Sequence, residues 1–252
     1  RNGYDTLKDF ISSVSTAGNV RHFVIHSREC VLDGLTPREN RNIPPLRPRW
    51  AHQLQSDFPN LTVTINGGIT SLDMAQRHLS CTRKGIVGEF GSYGGIRGFK
   101  RAENALEADY NWADLPPVGG VMIGREAYSR PWLLRHADTR IFGAAADPNR
   151  SRREIIDTYL EYGERMIAMY EDFYKRGNYG AAGYSTRNLM NPLLGLFALE
   201  RCGREWRRCL DKEYVGKGIV GKKDPELREM VEAAMECLPQ EILDLRASDE
   251  NE

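Results

Sequence analysis

The sequence has no long hydrophobic run, no closely spaced cysteine pair and no net charge. Because no run of about 18 apolar residues occurs, no membrane-spanning helix and no membrane partner are expected. The five cysteines are scattered and lack a CxxC pair, so neither a metal site nor a disulfide framework is predicted. Lys and Arg number 35, as do Asp and Glu, so net charge indicates no class of partner. These absences favour a reducing compartment, and we expect a cytoplasmic monomer.

The chain begins at Arg1 and not at a methionine, on a polar segment that soon becomes helical. We interpret it as a piece of a longer protein. A targeting peptide would then lie upstream, so an organelle destination stays open beside the cytoplasmic one.

Helix-like and strand-like apolar patterns alternate in the first half of the chain. Helices are predicted at 4–15, 50–58, 71–79 and 128–136, and strands at 22–26, 62–65 and 121–123. This alternation predicts an α/β fold with parallel strands and right-handed crossovers. Three parallel strands do not close a barrel. If the fold is a (β/α)8 barrel, five strands are missing from this sequence.

Two of the strands end in a glycine turn that leads into a helix. Asn66, Gly67 and Gly68 follow the second strand, and Gly124 and Arg125 follow the third. Glycine allows close approach of a ligand, and a helix N-terminus offers N–H groups to an anion. Consecutive turns of this kind hold phosphate in the last two βα units of (β/α)8 barrels. Although each turn alone could be a simple tight turn, together they predict a phosphate-bearing ligand.

Residues 81–118 interrupt the alternation, since they are rich in glycine and have little apolar periodicity. They are either an insertion or non-native sequence such as a translated intron. They do not form a dinucleotide fingerprint, because no strand precedes them and no GxGxxG occurs.

The remainder of the chain is predicted to be helical. A capping box from Ser151 to Glu154 opens a helix that extends to about residue 176. Further helices are predicted at 185–200, 203–213 and 224–238, the last beginning at Asp224 and Pro225. We therefore divide the chain into a partial barrel with an insertion, a helical domain and an acidic tail. Their ranges are 1–146, 147–238 and 239–252.

Four segments resemble the tRNA-dihydrouridine synthases, in particular the branch that modifies uridines 20 and 20a of the D-loop. They are GLTPRENR at 34–41, NGGI at 66–69, GREAY at 124–128 and TRNLMNPLLGLF at 186–197. The resemblance covers nearly the whole chain except 81–118 and the tail. It implies strands 6–8 of a TIM (β/α)8 barrel, followed by an all-α helical domain that binds tRNA.

The resemblance also implies a chemistry. In the family, NADPH reduces FMN, and the flavin reduces the 5,6 double bond of a uracil in tRNA to give dihydrouridine. The catalytic residues of this chain are unknown, because the family's cysteine and lysine are expected upstream of Arg1. None of the five cysteines matches the catalytic context. We therefore expect the chain alone to be inactive and to bind FMN poorly.

The resemblance assigns candidate site residues to two groups. The first would bind FMN, with the phosphate at the glycine turns; it comprises His26, Asn66, Gly67, Gly68, Gly124 and Arg125. The second would contact tRNA; it comprises Arg28 at the active-site rim, Arg38, Arg41 and Arg187. Guanidinium groups match phosphate geometry, although a solvated loop explains the same residues.

Two alternatives stay open. The chain could be a non-catalytic RNA-binding fragment of such an enzyme. It could also belong to another FMN-dependent barrel oxidoreductase that acts on a small molecule, although the helical domain and the GLTPRENR segment argue against this. The presence of the family's catalytic cysteine upstream would favour the enzyme, and its absence would favour the non-catalytic RNA-binding fragment.

Overall fold

The computed structural model describes residues 3–80, 115–176, 186–217 and 226–249. The chain divides into two compact units, Arg1–Gly124 and Arg125–Glu252. The boundary predicted from the sequence, between the partial barrel and the helical domain, lies between residues 146 and 147. Trp132 accounts for the earlier division, because this residue, 8% exposed, belongs to the core of the second unit.

The first unit contains a three-stranded parallel sheet. Its strands are β1 (His22–His26), β2 (Thr62–Asn66) and β3 (Gly120–Met122), in the order β1-β2-β3. The three predicted strands and their parallel direction are thus confirmed. In β2 the consecutive residues Val63, Thr64 and Ile65 are all buried, so both faces of the strand are covered.

Four helices of the first unit are described: α1 (Gly3–Ala17), α2 (Pro37–Asn40), α3 (Pro48–Asp57) and α4 (Leu72–Ser80). Helix α1 contributes Ile11, and α3 contributes Leu54, to a core that also contains Val63 and Ile65 of β2. Of the predicted irregular segment 81–118, only 115–118 lies within the described residues.

A buried histidine pair joins α3 to α4. His52 Nε2 lies 2.9 Å from His78 Nδ1, and His52 Nδ1 lies 2.9 Å from the carbonyl oxygen of Pro116. Burial lowers the pKa of both rings, and that of His78 falls to about 3. The backbone N–H of Val118 also donates to the carbonyl of His78, at 3.2 Å. The pair therefore fixes the segment that leads into β3.

The second unit is helical in its described parts. Its α-helices are α5 (Arg125–Ser129), α6 (Ala137–Arg140), α7 (Arg152–Arg176), α8 (Thr186–Met190), α9 (Gly203–Lys217), α10 (Leu227–Glu236) and α11 (Gln240–Asp244). Short 3-10 helices occupy Pro131–His136, Asn191–Gly195 and Ala247–Asp249. Within the described ranges, no helix combines the length and apolar character that crossing a bilayer requires.

Prolines divide two of the predicted helices. The helix predicted at 128–136 is instead α5 followed by a 3-10 helix that begins at Pro131, and the helix predicted at 185–200 changes to 3-10 form near Pro192. Proline lacks an N–H donor and disfavours helical backbone in the residue before it. The predicted start of the last helix, Asp224–Pro225, lies outside the described residues, and α10 begins after an N-cap at Glu226.

The core of the second unit surrounds Trp206 and a buried arginine. Trp206 is fully buried, and its indole N–H donates to the carbonyl of Leu193 at 2.8 Å. Arg152, 1% exposed, holds its guanidinium 4.1 Å from the ring centroid of Trp132 and pairs with Glu200 at 2.5 Å. The charge is thus held by an aromatic face and a carboxylate.

The predicted capping box of α7 is confirmed. The Glu154 N–H donates to Ser151 Oγ at 3.2 Å, and the Ser151 N–H donates to the Glu154 carboxylate at 2.9 Å. The same carboxylate pairs with Arg246 at 2.8 Å. The segment predicted as an acidic tail is therefore folded as far as Asp249, and Leu243 within it is fully buried. Its acidic composition concealed this apolar anchor.

Candidate functional site

The three strands of the first unit end at one edge of the sheet. His26 of β1 is in register with Asn66 of β2, and Asn66 is in register with Met122 of β3. In parallel sheets, ligands bind beyond the carboxyl ends of the strands. The register therefore brings His26, Asn66 and the segment leading to Gly124 to the edge where a ligand is expected.

The turn after β2 requires glycine at two successive positions. Gly67 has φ of +102° and Gly68 has φ of +77°, values that side chains strongly disfavour. A Cβ atom at Gly67 would lie 3.2 Å from His26 Cε1, and one at Gly68 would lie 2.6 Å from Leu46 Cδ1. The backbone of this turn therefore packs directly against β1 and the loop that follows it.

Helix α4 begins shortly after this turn. The N–H of Met74 donates to Ser71 Oγ at 3.2 Å, so Ser71 caps the first turn of the helix. A glycine turn that leads into a helix N-terminus suits an anionic group such as phosphate. The residues present thus fit the predicted ligand, since a helix start follows the glycine turn closely.

His26 lies against the glycine turn. The backbone N–H of Arg28 donates to His26 Nδ1 at 3.1 Å, so in the neutral ring the proton lies on Nε2. The neighbouring Ser27 donates its N–H to the carbonyl of Asn66 at 2.7 Å. The end of β1 is thereby tied to β2, and His26 is exposed at that end.

Gly124 and Arg125 follow β3 at the junction of the two units. A Cβ atom at Gly124 would lie 3.9 Å from Asn66 Oδ1, which is an ordinary contact, so packing within the first unit does not require glycine there. Arg125 is exposed and opens α5 of the second unit. The predicted phosphate contact of these two residues stays a prediction.

Arg28 holds the long loop between β1 and α3. Its guanidinium donates to the carbonyls of Pro44 and Asn42, the latter at 3.4 Å, and its backbone pairs with Leu46 in an antiparallel bridge. The guanidinium thus has a structural use within the loop. Its predicted contact with tRNA stays a prediction.

The GLTPRENR segment forms a braced turn. Thr36 caps α2 by accepting the N–H of Glu39 at 3.3 Å, and the Glu39 carboxylate accepts the Thr36 N–H at 2.8 Å. These hydrogen bonds from Thr36 lower the pKa of Glu39. The Asn40 side chain bonds both backbone groups of Val31, at 2.8 Å each. Sequence reasoning missed these bracing residues, although Thr-x-x-Glu is a capping-box signal.

The braced turn presents two arginines. Arg38 lies within α2 and Arg41 is its C-cap residue, and both are exposed. Since Thr36, Glu39 and Asn40 bond within the turn, the two guanidinium groups are attached to an ordered backbone. Their predicted contact with tRNA stays a prediction.

Arg187, Arg207 and Arg208 of the second unit are each bonded to another residue of that unit. Arg187 in α8 pairs with Asp211 of α9 at 3.0 Å, and both side chains are about half exposed. Arg208 pairs with Glu205, and Arg207 donates to the carbonyl of Leu194 at 3.1 Å. Across the described ranges, no group of three or more His, Cys, Asp or Glu side chains could hold a metal ion.

The fold places this protein among the α/β proteins built from parallel βα units. At the carboxyl ends of its strands lies a glycine turn suited to phosphate. Comparison of sequences identifies the family. The sequence model of the dihydrouridine synthase (Dus) family matches residues 1–92 and 106–216. The chain therefore belongs to the dihydrouridine synthase family, whose members are TIM barrels.

Curated relatives support this membership. The tRNA-dihydrouridine(20/20a) synthase of Vibrio vulnificus (strain CMCP6) is 33% identical over 244 residues, which are 96% of this chain and 57% of the relative. The enzyme of the same name from Escherichia coli (strain K12) is 34% identical over 212 residues, covering 84% of this chain and 47% of the relative. The Salmonella typhimurium (strain LT2) enzyme is 35% identical over 215 residues, with shares of 84% and 49%. The chain thus spans about half the length of these relatives.

Proposed function

We propose that this chain forms part of an enzyme that reduces uridine to 5,6-dihydrouridine in the D-loop of tRNA, at positions 20 and 20a. The observation that carries the proposal is its similarity over 96% of its length to a tRNA-dihydrouridine(20/20a) synthase. The proposed cofactor is FMN, with NAD(P)H as the reductant. When bound, the flavin would supply the hydride.

We further propose that β1, β2 and β3 are strands 6–8 of the family's barrel. The parallel arrangement of the three strands supports this proposal. So does the position of β1, which is an outermost strand of the described sheet. Val24 in the middle of β1 is 47% exposed, and Phe10 of the neighbouring α1 is 60% exposed. A further strand beside β1 would cover these apolar side chains, as barrel closure demands.

At the cofactor site, the turn of Asn66, Gly67 and Gly68 would hold the FMN phosphate. The support is the pair of positive φ angles and the closeness of Gly67 to the His26 ring. His26 would orient the flavin by donating a hydrogen bond from Nε2, since its Nδ1 already accepts from Arg28. Gly124 and Arg125 are proposed to complete the phosphate site, with Arg125 supplying a fixed positive charge.

At the tRNA site, Arg38 and Arg41 would contact backbone phosphates. The support is their exposure on a turn that Thr36, Glu39 and Asn40 hold in place. Because the turn is already ordered, fewer degrees of freedom would be lost on binding. Arg28 at the rim and Arg187 in α8 are proposed to contribute further contacts.

The experiment that tests the function is a measurement of dihydrouridine in cellular tRNA. Deleting the gene that carries this sequence should remove dihydrouridine at positions 20 and 20a, and reintroducing the gene should restore it. Mass spectrometry of tRNA fragments locates the modification. Unchanged dihydrouridine at both positions would exclude the catalytic function, and tRNA binding that persisted in that case would favour the non-catalytic alternative.

A second experiment tests the cofactor site in the native protein that carries this sequence. Replacing Arg125→Ala should weaken FMN retention, because one charge-assisted hydrogen bond contributes about 1.5–3 kcal/mol. Arg153→Ala is a matched control, since Arg153 also lies in the first turn of a helix and its guanidinium is assigned to a different contact, a pair with Asp244 at 2.6 Å. Equal flavin occupancy in Arg125→Ala and wild type would contradict the assignment.

A further inference from the structure

Two apolar side chains are exposed in the loop that follows β1. Leu32 is 88% exposed, and the adjacent Val31 is 41% exposed. We call these two residues the apolar tip. A single exposed leucine is common on protein surfaces. The apolar tip is unusual in two respects, the order of its backbone and its position near the ligand edge of the sheet.

Hydrogen bonds fix the backbone of the apolar tip. The Asn40 side chain bonds both the N–H and the carbonyl of Val31, at 2.8 Å each. Before the tip, the N–H of Glu29 donates to the carbonyl of Pro45 at 3.2 Å. Leu32 is therefore held at the surface by an ordered backbone, and its exposure is a property of the fold.

The base of the loop is joined to the β2 side of the sheet. Arg28 forms a backbone bridge with Leu46, and a Cβ atom at Gly68, after β2, would lie 2.6 Å from Leu46 Cδ1. The strand proposed beside β1 would cover Val24, which lies within β1. Leu32 instead lies beyond the carboxyl end of β1, where a ligand is expected.

The charges near the apolar tip favour a nucleic acid as its partner. Arg38 and Arg41 are exposed on the braced turn that follows it. The carboxylates of Glu39 and Glu29 are each bonded within the loop, whereas Asp33 is exposed beside the tip. Basic side chains that meet phosphates, together with an apolar side chain that meets a base, are the two parts of a contact with an unpaired RNA segment.

We propose that the apolar tip inserts beside the target uridine of tRNA and packs against the base from which that uridine unstacks. An enzyme that acts on a base takes the base out of its stack. Apolar side chains such as leucine insert between neighbouring bases and stabilise the unstacked arrangement. Leu32 thus helps to present the uridine at the edge of the sheet. This inference rests on the proposed function, because it takes tRNA as the substrate.

The test measures two properties of the native protein that carries this sequence, its affinity for unmodified tRNA and its rate of dihydrouridine formation. Leu32→Ala should weaken tRNA binding about tenfold, because withdrawing a leucine side chain from water contributes a factor of that order. The slope of log affinity against log salt should stay the same, since an apolar contact releases no counterions. Leu32→Met should keep most of the affinity, whereas Leu32→Asn, similar in size but polar, should lose it.

Leu199→Ala is the matched control, because Leu199 of the second unit is 87% exposed and its replacement should leave tRNA affinity unchanged. Wild-type affinity in Leu32→Ala would overturn the proposal. So would a fall in melting temperature as large as that of Leu54→Ala, since Leu54 is fully buried and Leu32 would then be covered by another part of the protein. If the wild type forms no dihydrouridine but Leu32→Ala still weakens tRNA binding, the proposed function fails and the contact with tRNA stands.

Discussion

Acidification from pH 7 to 5.5 should destabilise the first unit through the buried His52–His78 pair. In the unfolded chain both rings have a pKa near the ordinary value of about 6.5. In the folded chain burial lowers the pKa of both, and that of His78 to about 3. Below pH 6.5 the unfolded chain therefore binds protons that the folded chain does not. Stability must fall as the pH falls, and this loss is absent above about pH 7.

The size of the effect follows from the two pKa values of His78. Linkage between about 6.5 and about 3 gives a loss on the order of 1 kcal/mol over this pH interval. His52 adds to the loss in the same direction. Protonation also conflicts with the hydrogen bond between the two rings. His52 Nδ1 carries the proton that bonds the carbonyl of Pro116, and one of the two nitrogens that join His52 to His78 must lack a proton in order to accept.

Hydrogen exchange of β2 amides measures this loss within the first unit, after correction for the pH dependence of intrinsic exchange. The double variant His52→Gln/His78→Asn should lose most of the difference between pH 7 and 5.5. His26→Gln is the control, because its ring is exposed at the end of β1. Equal protection of wild-type β2 at both pH values would refute the reasoning, as would a double variant that keeps the full difference.

Three further predictions concern the glycine turn, the arginine turn and the second core. Gly68→Ala should lower the free energy of unfolding by about 2–4 kcal/mol, and Gly34→Ala by about 1 kcal/mol, as measured by urea titration. Both glycines have positive φ, but only at Gly68 would a Cβ atom meet a neighbour. Equal losses would count against the close approach of Leu46 to Gly68. Changing Arg38 and Arg41 together to Gln in the native protein should weaken tRNA binding and reduce the slope of log affinity against log salt by up to about 2, and an unaltered slope would show that neither meets a phosphate. Arg152→Ala should cost about 3 kcal/mol, since a buried cation and its bonds are lost; a cost under about 1 kcal/mol in thermal melts would disprove that role.

The sequence predicted the strands well because each is a short apolar run with β-branched residues and a turn at its end. Thr62–Asn66 carries both signals, and its neighbours in the sheet follow from the rule that βα units form parallel sheets. The turn at Gly67 and Gly68 was likewise predictable. Two consecutive glycines are typical of a backbone with positive φ, and both residues have it.

Other features depend on contacts between residues far apart in the chain, and the sequence does not display these. The His52–His78 pair joins two helices through ring nitrogens, and no local pattern marks it. Arg152 was expected only as part of a capping segment, yet it is buried against Trp132. The fold of residues 240–249 was missed because ten acids in 224–252 outweighed the apolar anchors Leu243 and Ala247.

In the braced turn at 34–41, the residues that hold the backbone in place differ from the residues whose side chains are exposed for contact. Thr36, Glu39 and Asn40 form its internal bonds, while Arg38 and Arg41 alternate with them along the same few positions. Selection can therefore alter the displayed side chains one at a time without remaking the loop. Substitutions at 38 and 41 can therefore change the charge that the turn displays while its backbone keeps the same hydrogen bonds.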